Sequence, residues 1–283
     1  MHRMASASAD PDHPRAWATT NVVGVSSEWI ASADFNDKPS RLRIAGARSS
    51  ARGLFDQLDR VGNLREAGNV FRRYMEAAFG LKPDHEARQR SERLRWKSSY
   101  LKLLEGWGFD SNGPQGAVLK GWVESRFGLV PTWHHGALGR FPSDAWVRYI
   151  EEKMTSRFHG NCINMQLDLL FEYCQWAIRR FHLPPRANGV HTVKVWRCVN
   201  GLGEHRFVEG GLRERRGTVH LNNLVSFSLS REHAEAFGDW MLETEVAVEK
   251  LVFVPGLLGQ SLLAGEGEVI ALGGEYRVKA SYA

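Results

Sequence analysis

Between Gly53 and Phe181, apolar residues recur three and four positions apart in GLFDQLDRV, REAGNVFRRYMEAAFG and KGWVESRFG, the spacing of one helix face. Gly80 and Gly128 stand where such helices would stop. The clearest helix runs through CINMQLDLLFEYCQWAIRRF, where Ile163, Leu167, Leu170, Phe171, Cys174, Ile178 and Phe181 form a core-facing stripe. His182 to Gly189 break the pattern, because Pro184 and Pro185 cannot continue a helix and Asn188-Gly189 favours a turn.

Beyond that break the period drops from near 3.6 to 2. In HTVKVWRC, Val193, Val195 and Arg197 fall on one face and Lys194 and Trp196 on the other. NLVSFSL, MLETEVAV, KLVFV, EVIAL and EYRVKA are further strand-like runs, with REHAEAFG as a short helix among them. The glycines between EVIAL and EYRVKA read as a turn joining two strands. The pattern predicts an α+β fold, with an N-terminal α-helical lobe over 21–183 packed on a C-terminal, mostly antiparallel β-rich core over 190–283. Residues 1–20, rich in Ser, Ala, Pro and Asp, read as a disordered tail.

Composition narrows the function classes. With 283 residues, 43% of them hydrophobic, the chain can bury one substantial core, or a core with a smaller lobe packed on it. No apolar run approaches the roughly 18 residues of a membrane span, and the first 20 residues lack a signal-peptide core, so a cytoplasmic protein without an integral membrane segment is expected. Cys162, Cys174 and Cys198 form no Cys-x-x-Cys pair and read as reduced packing residues. A formal charge of +5 is too small for a dedicated nucleic-acid binder, and Glu209 and Glu214 interrupt the arginines at 213, 215 and 216, which read as a solvated loop. His134-His135 and His85-Glu86 match no zinc-ligand spacing, and no metal needs to be invoked.

Three points in the β-rich half carry candidate chemistry: VKVWRC ending in Arg197, LVSFSLS with Ser226-Phe227-Ser228, and GEGEVIALGGEYRV with Glu266 and Glu268. Taken singly, each is better read as a strand end, a strand-edge hydroxyl or a solvated acidic loop. In order and spacing together, they resemble the arginine-type mono-ADP-ribosyltransferases: Arg197 matches the strand-borne arginine, Ser226-Phe227-Ser228 stands for Ser-Thr-Ser, and Glu266-x-Glu268 matches the Glu-x-Glu pair. The wording of FNDKPSRLRIAG, KSSYLKLLEGWGFDSNGPQGAVLKGWVESRFGLVP and NNLVSFSLSREHAEAFGD resembles, more narrowly, the dinitrogenase reductase ADP-ribosyltransferases of nitrogen-fixing bacteria, over about residues 20 to 283.

The chemistry asks for these residue types. Breaking the nicotinamide–ribose bond of NAD creates positive charge at the anomeric carbon, which a fixed carboxylate stabilises; Glu268 fits that role. Arg197 offers a planar cationic fork for pyrophosphate or ribose, and Ser226 a compact hydroxyl able to orient Glu268. The resemblance implies that Glu266 positions a guanidinium acceptor, that the backbone at Cys198, where many members have glycine, binds the carboxamide, and that Ser228 belongs to the NAD site. Phe237 or Trp240 is a candidate ring for stacking nicotinamide, though each is more often a core aromatic.

The resemblance also implies the nitrogenase iron protein (dinitrogenase reductase) as target, inactivation of nitrogen fixation as the consequence, and a PII nitrogen-signalling protein as regulator. Two rivals stay open: an arginine-directed enzyme with another protein target, and a non-catalytic adaptor of the same fold.

Overall fold

A computed structural model describes residues 21–83, 86–186, 190–200, 205–211, 214–259 and 267–283. Helices fill the first part of the chain: α1 (Ser27–Ala31), α2 (Ala47–Ser50), α3 (Arg52–Leu58), α4 (Leu64–Phe79), α5 (Arg90–Lys97), α6 (Tyr100–Phe109), α7 (Pro114–Phe127), α8 (Asp144–Lys153), α9 (Ser156–His159) and α10 (Ile163–Phe181). The second part holds strands β1 (Thr192–Val199), β2 (Arg206–Gly211), β3 (Arg216–Ser228), β4 (Trp240–Ala247), β5 (Leu251–Phe253) and β6 (Glu268–Tyr282), with α11 (Arg231–Glu235) after β3. The α+β class read from the periodicity is the class observed.

Local chemistry explains the helix limits. Asn63 caps α4 by accepting a hydrogen bond from the Glu66 amide at 2.9 Å, and α4 ends at Gly80 with φ 61°. Pro114 opens α7 at its first turn, where a missing amide hydrogen costs nothing, and Gly128 closes it with φ 69°. On α10 the expected apolar stripe is buried from Ile163 to Ile178, with Phe181 partly buried, but Gln166, Glu172 and Gln175 on its other sides are buried too. Glu172 accepts from the Ile44 amide at 2.8 Å and from Arg48, while Gln175 donates to the Val248 and Leu251 carbonyls at 2.9 and 2.8 Å. From Leu169 to Ile178 this helix is enclosed on every side, and its buried polar residues are retained because each meets backbone or an opposite charge.

The six strands form one antiparallel sheet in the order β2-β3-β1-β4-β6-β5, with β3 also paired along β6. One continuous hydrophobic core joins α10 and the helices around it to the sheet. Two expectations are corrected here. The segment read as strand, turn and strand around Gly273-Gly274 is one strand of 15 residues, β6. Gly273 serves a bulge in β3, where Asn222 and Asn223 together oppose it and a Cβ would lie 1.4 Å from the Asn222 carbonyl oxygen, and Gly274, with φ 109°, lets the Ala31 backbone of α1 come close. Arg216, read as part of a loop, starts β3 and pairs with Gly211 of β2, a strand whose polar and glycine-rich sequence gave no alternating signal.

The bulge also joins the helices to the sheet. Asn222 accepts from the Thr132 amide at 3.0 Å and donates to the Trp133 carbonyl at 2.8 Å, and Asn223 donates to the carbonyls of Lys120 and Leu129 at 2.9 and 2.8 Å. These bonds fix α7 and the segment after it against the middle of β3, and thereby set where the end of α6 lies relative to the strands.

Candidate active site

Strands β1 and β3 pair at Trp196↔Ser228. An open cleft of about 370 Å³ lies beside that pair, within the roughly 300–1,000 Å³ of small-molecule sites, and is lined by Arg197 and Cys198 of β1, Ser226 and Ser228 of β3, and Glu268 of β6. Residues two apart on a strand share a face, so Ser226 and Ser228 both border the cleft. The ring of Phe227 between them is buried edge-on against Tyr276, with centroids 5.6 Å apart.

The polar groups converge. Arg197 reaches across from β1 and donates through Nη1 to the Ser226 carbonyl at 2.9 Å. The Ser226 hydroxyl donates to Glu268 Oε1 and accepts from the Trp107 indole N–H at 2.8 Å. Register supports this meeting, because Ser228 lies opposite Glu268 and Ser226 opposite Ile270 on β6. Ser228 accepts from the Ser230 amide at 3.1 Å and so shapes the turn into α11, whose Ala234 borders the cleft together with Phe237.

Phe237 is 54% exposed at the cleft, a placement that suits a stacking ring. Trp240 is placed elsewhere: its ring lies 4.1 Å from that of Tyr282, across the β4–β6 pair, and it does not line the cleft. Cys198 packs its sulfur 3.9 Å from that of Met241, and burial raises its thiol pKa, so it stays protonated and unreactive. Glu266 lies outside the described residues.

Sequence reasoning missed the contribution of the helices. The end of α6 and the residues after it, Trp107 to Ser111, form a wall of the cleft, and Phe109 there is 94% exposed. Trp107 completes the i, i+3, i+4, i+7 series Tyr100, Leu103, Leu104, Trp107 and reads as plain core by that spacing. The available hint was the turn-forming run Asp110-Ser111-Asn112-Gly113 directly after two aromatics, a surface loop with an unspent apolar ring.

Two other features stand apart from this cleft. A larger one of about 470 Å³ contains Lys194, Arg216 and Lys279, but Glu209, Glu243 and Glu245 balance them, and Lys194 and Lys279 approach Glu243 at 3.3 and 3.6 Å. The fold also gathers His134, His135 and Glu152, whose ligand-type atoms lie within 4.8 Å of one another. Sequence spacing gave no sign of this cluster. Lys120 Nζ lies 3.3 Å from His134 Nδ1, which places the ring proton on Nε2, where it is donated to Glu152 at 3.0 Å; Arg148 takes the other Glu152 oxygen at 3.0 Å. Burial and the Lys120 charge lower the His134 pKa to about 4. With two cations already on its lone pairs, the cluster is an α7–α8 hydrogen-bond network rather than a cation site.

Among the described residues no helix is long and apolar enough to cross a membrane. No solved structure matches the chain. A curated relative from Rhodospirillum rubrum, named NAD(+)--dinitrogen-reductase ADP-D-ribosyltransferase, is 49% identical over 274 residues, covering 96% of this chain and 98% of the relative. The family model for dinitrogenase reductase ADP-ribosyltransferase matches residues 20–280, which include every element of the cleft, and the chain therefore belongs to that family.

Proposed function

We propose that this ADP-ribosyltransferase binds NAD in the cleft beside the β1–β3 pair, breaks its nicotinamide–ribose bond, and transfers ADP-ribose to an arginine of dinitrogenase reductase. The observation that carries this reading is the Ser226 hydroxyl, which joins Glu268 to the cleft floor while Arg197 holds the same serine's carbonyl. As the bond to nicotinamide lengthens, its electron pair leaves with the ring and the anomeric carbon becomes cationic. Glu268, held on a rigid strand by Ser226, places negative charge beside that carbon without reorganising. The acceptor nitrogen then forms the new bond and gives up its proton to the Glu266 carboxylate.

Arg197 supplies a permanent positive charge for the pyrophosphate, and its fork can hold two oxygens at once. Phe237 and Phe109 bring two exposed rings to the cleft, one from each part of the fold, suited to the flat faces of nicotinamide and adenine. The Cys198 backbone and Ser228 complete the NAD contacts, and Glu266 orients the acceptor guanidinium. Modification of the iron protein would switch nitrogen fixation off, and a PII nitrogen-signalling protein is the proposed regulator. Both of these rest on family resemblance, as does the arginine acceptor.

The test uses labelled NAD with purified nitrogenase iron protein. The parent chain should label it on one arginine, found by mass spectrometry, with loss of its electron-donating activity. Glu268→Gln should keep NAD affinity within a few-fold while transfer falls at least ~100-fold, because charge is removed and shape retained. Equal losses of binding and turnover, or label on another residue type, would overturn the assignment.

A further inference from the structure

α6 presents Trp107 at the boundary between the helices and the sheet. The ring is 4% exposed and packs in the core, yet its N–H points out of that core to Ser226 Oγ at 2.8 Å. The direction of this bond is chemically fixed. An indole nitrogen only donates, so it must occupy a lone pair of Oγ, and the single hydroxyl proton of Ser226 is left for Glu268. A serine without that donor has three staggered hydroxyl orientations; with it, the one that serves the carboxylate is selected.

The helix that carries Trp107 is itself held. The Tyr100 amide donates to Gln166 of α10 at 3.0 Å, and Ser99 caps the helix through the Lys102 amide at 3.3 Å. Trp107 and the residues up to Ser111 then form the cleft wall opposite the strands. The position of α6 is thus transmitted to the carboxylate through two consecutive hydrogen bonds.

We propose that Trp107 is a positioning residue for the reaction, acting through the Ser226 hydroxyl to hold Glu268 in its working orientation. This rests on the assignment of Glu268 made above. A tryptophan that merely fills the core would affect folding and every substrate contact alike, whereas a positioning residue acts through one partner, and that difference is measurable.

Trp107→Phe keeps an aromatic ring and removes the N–H. Nicotinamide release from NAD is measured for the parent, Trp107→Phe, Ser226→Ala and the double variant. Trp107→Phe should lower kcat ~5–10-fold, the size of one lost neutral hydrogen bond, with KM for NAD within about twofold. Ser226→Ala should lose at least as much, and adding Trp107→Phe to it should cost no more than about a further twofold, since the bond is already gone. Multiplicative losses in the double variant, a change in KM alone, or an unchanged kcat in Trp107→Phe would overturn the proposal.

If Trp107→Phe does not fold, ¹⁵N-tryptophan spectra decide between the two roles. One of the ten indole N–H resonances, assigned by triple-resonance methods to Trp107, should move upfield in Ser226→Ala. No movement overturns the proposal. Glu268→Gln is run alongside: full activity there overturns both the active-site assignment and the positioning role, whereas loss there with an unaffected Trp107→Phe overturns the positioning role alone.

Discussion

Replacing Lys250 by methionine should stabilise the protein. Lys250 ends a single 3₁₀ turn, Val248–Lys250, that leads into β5, and its side chain is fully buried. The ammonium lies 4.5 Å from the ring centroid of Tyr276 and 5.4 Å from that of Phe35, and among the described residues it finds no hydrogen-bond partner. Burial lowers its pKa from 10.5 to about 7, against an opposing pull from the Glu275 carboxylate. The folded chain therefore binds fewer protons than the unfolded chain between about pH 7 and 10.5, and stability must rise with pH across that window.

At ~1.36 kcal/mol per pH unit, this depression amounts to roughly 5 kcal/mol of destabilisation near pH 7. Methionine has a similar unbranched length and fills the same space without charge. Part of the gain is offset by the lost attraction of the ammonium to the Tyr276 face, up to ~2 kcal/mol, leaving about 3 kcal/mol. For a domain of this size that is a rise in Tm of about 5–10 °C. Thermal unfolding followed by circular dichroism at pH 7, 8 and 9 measures it. The parent's Tm should climb with pH and the variant's should be flatter. A lower Tm in Lys250→Met, or a pH-independent difference between the two, would refute the claim that desolvation of this charge is the dominant cost.

Three further outcomes follow from the site. Glu266→Gln should abolish transfer to the iron protein while slow hydrolysis of NAD by water persists, because water needs no fork to orient it; parallel loss of both reactions would place Glu266 in the NAD site itself. Arg197→Lys should weaken NAD binding at least ~10-fold in calorimetry, since a point charge replaces a fork and the bond to the Ser226 carbonyl is lost; unchanged binding would remove Arg197 from the pyrophosphate site. Gly273→Ala should give little folded protein, because the added Cβ meets the Asn222 carbonyl oxygen at 1.4 Å and backbone must move; parent-like melting would show that the bulge tolerates a shift.

The strands that carry Arg197 and Ser226 were legible because apolar and polar residues alternate along VKVWRC and LVSFSLS, that of Glu268 as the short apolar run EVIAL, and all three because their order along the chain carries the resemblance. α10 was legible for its stripe, whereas the burial of Glu172 and Gln175 on its other sides depends on partners more than 70 residues away in the chain. Gly273-Gly274 reads as a turn by local chemistry, and only tertiary contacts explain why two glycines sit inside an unbroken strand: the Asn222 backbone approaches Gly273, and the Ala31 backbone approaches Gly274, whose φ is 109°. Trp107 could not be found by periodicity, because its stripe position says core and the aim of its N–H toward Ser226, 119 residues on, is a tertiary fact.

The same geometry explains why two departures from the arginine-type pattern that the sequence resembles fall where they do. Phe227 replaces the usual middle threonine of Ser-Thr-Ser, but an odd position on β3 faces away from Ser226 and Ser228, and its ring fills the core against Tyr276. Cys198 replaces a common glycine, yet its sulfur packs on Met241 and what it can offer a carboxamide is backbone. Substitution at either place alters packing behind the cleft. The groups proposed to meet the anomeric carbon and the phosphates are placed instead by strand register, by the bulge at Asn222-Asn223 that fixes the helices on β3, and by the end of α6. Constraint on the reaction should therefore be strongest along the line from Trp107 through Ser226 to Glu268, which crosses from helices to sheet, and weaker at strand positions whose side chains point into the core.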